Sequence, residues 1–232
     1  MRRALICLAL VLMPLPAAAC RLALVLGLDA SAGVDAVAYR GQLLAAAGAL
    51  ESPSVTEAAL GAPTGPVSLM VFEWASHRFQ RVILPWQQLE TRADLAIAAA
   101  RLRAIRRAPD TGAPAPGHGL RFAADALNSG PSCDRRVVDL STSALGNRHA
   151  GQNPVVFASR LGDVVVNALV ILPRRQGADP DGLVSYAARH VIQGPGAFIE
   201  VASGPSDYVR AITRKLLREI AGPGEGPDPP AQ

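Results

Sequence analysis

Short, unbroken apolar runs along this chain alternate with longer stretches in which apolar residues recur every three or four positions. The unbroken runs are residues 22–28, 137–140 and 164–172. Each is too short for an ordinary helix and rich in Val, Leu or Ile, which predicts strands buried on both faces. Helical spacing falls at residues 34–50, 93–105, 120–127 and 155–161. Strand and helix therefore take turns. That order implies right-handed crossovers and an α/β, doubly wound parallel sheet with helices on both faces.

One pair of strands breaks the alternation. Residues 67–74 and 79–84 are joined only by Ala75, Ser76, His77 and Arg78, which is hairpin spacing, so these two strands should be antiparallel. Pro85 is expected to close the second, at a sheet edge where a missing backbone donor is tolerated. Residues 197–202 read as a last strand and 206–220 as a last helix, with Pro205 or Ser206 near its start. The expected sheet thus has six strands, mostly parallel, with one antiparallel edge strand. No fixed-period repeat is present.

The N-terminus changes the picture of where the chain works. Arg2 and Arg3 form a basic start, residues 4–15 an apolar stretch, and Ala17, Ala18 and Ala19 a small-residue cleavage site, the pattern of a signal peptide. Pro14, Pro16 and Arg21 interrupt any helix of the roughly 20 residues a bilayer core requires, so no transmembrane segment is expected in the mature chain. The arginine pair lacks the flanking residues of a twin-arginine signal, which favours the general secretory route. The expected division is a signal peptide at 1–19, one domain at 20–221, and a tail at 222–232 too polar and Pro-rich to pack. The mature product would be periplasmic or secreted.

Cysteine usage agrees with that compartment. Cys7 lies in the leader, which leaves Cys20 and Cys133 as an even pair in an oxidising environment, and a disulfide is the natural reading. The rival is a lipid thioether on Cys20, although the Leu usual three residues before such a cysteine is replaced by Ala17. Net charge is +4, and Arg2 and Arg3 supply two of those charges, so the mature chain is too weakly basic for a nucleic-acid footprint. Half of all residues are hydrophobic, enough for a two-sided core in one large domain.

At the end of the first strand stands Asp29-Ala30-Ser31-Ala32-Gly33, followed at once by a helix, at the sheet edge where open α/β folds bind ligands. Together with residues 22–35, Val71-Phe72-Glu73-Trp74, Leu84-Pro85-Trp86, Arg135-Arg136-Val137-Val138-Asp139-Leu140-Ser141 and Gly194-Pro195-Gly196-Ala197-Phe198, it resembles the bacterial domain of unknown function family 1194. That family is similar to von Willebrand factor A domains. The resemblance covers nearly the whole mature chain and implies an antiparallel third strand at the edge. It also implies that the first and fourth strands are parallel neighbours. Cys20 and Cys133, each just before one of them, would then fall within about 4.4–6.8 Å, the Cα separation of a disulfide.

The ligand site that the resemblance implies is a metal-ion-dependent adhesion motif: Asp-x-Ser-x-Ser, a Thr from a later loop and an Asp after the fourth strand, hard oxygen ligands suited to Mg²⁺. Asp29 and Ser31 match it, so a vestigial metal site is one reading of that pair. Gly33 stands where the second Ser belongs, Pro114 in place of the Thr, and Ser143 in place of the second Asp; Thr111 lies three residues from the expected place. The other reading makes Asp29 or Ser31 the cap of the following helix. Asp139, Ser141 and Ser143 share one side of the fourth strand, where the first two should satisfy buried backbone or one another.

Other chemistry is poorly supported. Asp-Ala-Ser-Ala-Gly is one residue from the nucleophile elbow of hydrolases, with Asp139 and His149 or His190 downstream, but Asp29 stands where the elbow needs a tiny residue. His77, His118, His149 and His190 show no ligand spacing, and residues 112–119 carry no Lys for a phosphate cradle. Trp74 and Trp86, at the ends of the hairpin strands, are expected to be structural. The reading is an exported, non-enzymatic binding or scaffolding domain. It needs no cofactor and takes a protein partner outside the cytoplasm. The alternative is a serine hydrolase built on Ser31.

Overall fold

In the computed structural model, residues 20–62, 64–108, 112–143, 161–172, 179–204 and 206–222 are described. All ten residues of the first strand, β1 (Cys20–Asp29), are buried. Its side chains alternate between two cores. Leu22, Leu24, Leu26 and Leu28 enter one, and Ala23 and Val25 the other. This two-residue period is how a central strand serves helices on both faces.

The remaining strands are β2 (Val67–Trp74), β3 (Gln80–Leu89), β4 (Cys133–Thr142), β5 (Val165–Ile171) and β6 (Ile199–Ala202). They form one six-stranded sheet in the order β3-β2-β1-β4-β5-β6. Among the described strands only β3 is antiparallel to its neighbour, and it lies at an edge. Among the described residues the helices are α1 (Ala36–Leu50), α2 (Pro53–Leu60), α3 (Arg92–Ala104), α4 (Pro116–Asn128), α5 (Pro180–His190) and α6 (Tyr208–Ala221). Buried residues of α1, α2, α3 and α6 join the core that contains Leu22, and those of α4 and α5 join the other. Each parallel strand ends at the same sheet edge, so the loops that follow β1, β2 and β4 converge there.

Several expectations need correction. Pro85 does not close β3, which continues to Leu89. The register slips on either side of Val71 and β3 carries the extra residues, so the proline falls in a bulge of an edge strand. Helices α2 and α5 have no counterpart in the sequence reading. Both begin with a side-chain cap followed by proline: Ser52 accepts from the Val55 N–H and Asp179 from the Gly182 N–H. The helix expected at 155–161, the leader at 1–19 and the tail beyond Gly222 lie outside the described residues, save Leu161, which sits in a turn.

Within β1, Gly27 is required by a close approach. A Cβ there would come within 2.8 Å of both the Phe72 ring and Leu140 Cδ1. Cys20 lies directly opposite Cys133 in the β1–β4 register, and the two are joined as a disulfide with Cα atoms 4.4 Å apart.

Candidate functional site

Asp29 is the last residue of β1 and is fully buried. Its Oδ1 accepts from the Ser31 N–H at 2.9 Å, which closes the turn leaving the strand. Its Oδ2 accepts from the Ser143 N–H and from the Ser143 hydroxyl, both at 2.9 Å. Because β4 neighbours β1, a residue 114 positions away in sequence reaches this carboxylate one step past its own strand. Burial raises the Asp29 pKa above the ordinary carboxylate value, and the hydrogen bonds from Ser31 and Ser143 oppose that rise.

The capping expectation is not met. The N-cap of α1 is Asp35, whose carboxylate accepts from the Ala38 N–H at 2.7 Å. Asp29 instead staples two loops together. Asp29→Ala should strand the Ser31 and Ser143 donors and cost about 1–3 kcal/mol for each, read as a lower urea midpoint. An unchanged midpoint would show that the staple carries no weight.

The Ser31 side chain is fully buried, and among the described residues its Oγ has no hydrogen-bond partner. Gly33, two residues on, is exposed. Arg107 covers this loop. Its Nη2 donates to the carbonyls of Ala30 and Ser31, each at 3.2 Å, and its guanidinium lies 5.5 Å from the centre of the Tyr39 ring. The Tyr39 hydroxyl donates to Glu73 Oε2 at 2.5 Å, and Arg81 Nε donates to Glu73 Oε1 at 2.8 Å. Pro114, at the third loop position, brings no side-chain oxygen, and the Ala115 N–H beside it is tied to the Ala75 carbonyl at 2.9 Å. Thr111 lies outside the described residues. Among the described residues there is no group of three or more His, Cys, Asp or Glu positioned to hold a metal ion.

A nucleophile at Ser31 would need a base, and among the described residues no histidine hydrogen-bonds to its Oγ. His190 ends α5, near the β5 start where Gln193 bridges Val166, at the opposite sheet edge from Ser31. His77 and His118 face one another with ring centres 6.0 Å apart, and His149 lies outside the described residues.

Strand alternation does send Asp139 and Ser141 to one side of β4, but their partners differ from expectation. Ser141 Oγ lies 3.3 Å from the Tyr208 hydroxyl, and Asp139 Oδ1 is 3.1 Å from Lys215 Nζ. Both partners come from α6. Of the two tryptophans, Trp74 is fully buried and donates from Nε1 to the Ser141 carbonyl at 3.2 Å. Trp86 is half-buried. It lines a groove of about 350 Å³ with Met70, Val82, Pro85 and Phe122.

The family described as Protein of unknown function (DUF1194) matches residues 19–224. The chain belongs to this family. No curated protein matches it. Among solved structures, a von Willebrand factor type A protein from Catenulispora acidiphila is similar, with 17% identity over 87% of this chain and 43% of its own, at a TM-score of 0.57. The pilus adhesin SpaC from Lactobacillus rhamnosus GG aligns at 13% identity over 87% of this chain and 31% of its own, with a TM-score of 0.60. Proximal thread matrix protein 1 from the mussel byssus, in a form with a zinc-occupied MIDAS motif, aligns at 16% identity over 86% of this chain and 46% of its own, with a TM-score of 0.58. This family member therefore has the von Willebrand factor A fold, and it spans less than half the length of each of these three proteins.

Proposed function

We propose that the chain is an exported, non-enzymatic binding or scaffolding domain that engages a protein partner without a bridging metal ion. The observation that carries this reading is the state of Asp29. The one carboxylate left from the adhesion motif already accepts three hydrogen bonds, from donors that a cation would have to displace. A hard divalent ion gives up tightly held water only for several oxygen ligands. Here it would meet one engaged carboxylate and one buried hydroxyl. The similarity to a pilus adhesin and a thread matrix protein supports a binding role, and no helix among the described residues is long and apolar enough to cross a membrane.

Export rests on the leader at 1–19 and the Cys20–Cys133 bond, with residues 20–221 as the mature domain in the periplasm or outside the cell. A Cys20 sulfur held in that bond has no thiol left for lipid attachment. The burial of Ser31 speaks against the hydrolase alternative, and a labelled fluorophosphonate should leave the chain unreacted.

Thermal unfolding with millimolar Mg²⁺ or Ca²⁺ should match unfolding in chelator. A site filled at 100 times its dissociation constant would add about 2.7 kcal/mol. A shift that Asp29→Ala abolishes would overturn the reading. Gly33→Ser, Pro114→Thr and Ser143→Asp together should create a metal-dependent shift that the natural chain lacks. Capture of envelope proteins by the tagged domain should be the same in chelator as in Mg²⁺.

A further inference from the structure

A second group of polar side chains lies away from the loops, sealed between β4, β5 and α6. Lys215 is the only lysine in the chain, and it is fully buried. Its Nζ stands 3.1 Å from Asp139 Oδ1 and 2.6 Å from Glu219 Oε1, and both carboxylates are buried with it. Glu219 Oε1 also accepts from Asn167 Nδ2 at 2.9 Å. The Phe198 ring covers the ammonium, its centre 4.7 Å from Nζ. One cation thus faces two carboxylates, while among the described residues neither oxygen of Asp139 nor Glu219 Oε2 accepts a hydrogen bond, so Asp139 meets the ammonium as an ion pair alone.

Such a cluster is costly as a set of ions, because buried charges need full pairing and satisfied oxygens to offset lost hydration. The cost disappears if the charges are consumed. We propose that Lys215 and Asp139 condense to an isopeptide bond that joins α6 covalently to β4, with Glu219 accepting the proton that frees the amine.

The reaction needs an amine, a neutral carboxylic acid, a base between them and a site that excludes water. Lys215 supplies the amine once its ammonium passes a proton to Glu219 across their hydrogen bond. Asp139 supplies the acid, since burial first, and the nearby Glu219 charge second, push its pKa up to about 8 against the opposing pull of Lys215. The Lys215 nitrogen attacks Asp139 Cγ, forming the C–N bond. The C–O bond to the acid hydroxyl breaks, and that hydroxyl takes the second ammonium proton and leaves as water.

The products are one amide, one water and a protonated Glu219, so two charges are removed and no oxidant or cofactor is required. Fixed proximity of amine and acid makes such a condensation effectively intramolecular. Asn167 is held away from this role, because its carboxamide is fixed between Glu219 and the Phe198 N–H, which donates to Asn167 Oδ1 at 3.0 Å.

The test is mass spectrometry on the exported full chain, held folded at neutral pH, then denatured, reduced and digested with trypsin. The expected result is residues 137–148 joined to residues 215–218 with no cleavage after Lys215, the pair lighter by one water than its two peptides. Lys215→Arg and Glu219→Gln should each give no joined peptide. Recovery of the two peptides separately from the natural chain would overturn the proposal whether or not either variant folds. Loss of ammonia in place of water would overturn Asp139 as the partner. A joined peptide that survives Glu219→Gln would overturn the proton-accepting role.

Discussion

Serine at both Cys20 and Cys133 should lower the stability of the folded domain by about 4–5 kcal/mol. The two residues are register partners on neighbouring parallel strands, with Cα atoms 4.4 Å apart. The bridge therefore asks little of the folded backbone. Its effect falls on the unfolded chain, where it closes a loop between residues 113 positions apart. In the chain-entropy account, a loop of that length loses roughly 4–5 kcal/mol of unfolded-state freedom. For a domain of this size the melting temperature should drop by about 8–20 °C.

Urea unfolding is the discriminating measurement. Freed of the bridge, the unfolded chain expands and exposes more surface, so the denaturant slope should rise as the midpoint falls. Equal midpoints for the serine pair and the oxidised protein would show the bond to be energetically idle. The proposed Asp139–Lys215 bond closes a loop that begins only after Cys133. The two constraints would not overlap along the chain, and each should persist when the other is removed.

The alternation of strands and helices was legible because the central strands are buried on both faces. β1 and β5 read as continuous apolar runs for the same physical reason that they lie inside the sheet. The hairpin was legible from its short connection. What failed at Pro85 was a rule applied one step too far. Proline does mark an edge strand, but a bulge there lets the strand run on to Leu89.

Helix α2 escaped because it has only eight residues, of which three are buried, too few to establish a period. Helix α5 offered a fairer signal. Leu183, Tyr186 and Ala187 are its buried residues, at helical spacing after Asp179-Pro180.

The loop site was half legible. A motif comparison places Asp29, Ser31, Pro114 and Ser143 at related positions, yet it cannot say that Ser143 donates twice to Asp29, because that depends on β4 lying beside β1. Arg107 was missed altogether, since nothing local marks an arginine that will reach a loop 76 residues away. The buried cluster left a trace that was overlooked. Lys215 and Glu219 sit four apart on α6, in the same stripe as the buried residues Ala211, Ile212, Leu216 and Ile220. Charged residues inside an apolar stripe require partners from a facing element. On this helix those partners are Asp139 and Asn167.

Trp74→Ala should destabilise the domain by about 3–5 kcal/mol, the range for emptying a large aromatic from a packed core. The indole ends β2, fully buried, and packs so closely against α4 that a Cβ on Gly119 would stand 3.2 Å from its Cγ. Its Nε1 also donates to the Ser141 carbonyl at 3.2 Å, tying β2 to the end of β4 across β1. Trp74→Phe separates the two contributions. Phenylalanine keeps much of the ring but strands the carbonyl, a loss of about 1–3 kcal/mol.

Trp86→Ala should cost less than Trp74→Ala, because Trp86 is half-exposed along its groove beside Val82 and Phe122. The three variants should therefore rank by urea midpoint with Trp74→Ala lowest. Equal midpoints for Trp74→Ala and the natural chain would remove this tryptophan from the core. If Trp86→Ala abolished capture of envelope proteins with its midpoint unchanged, Trp86 would be a contact residue and not a structural one.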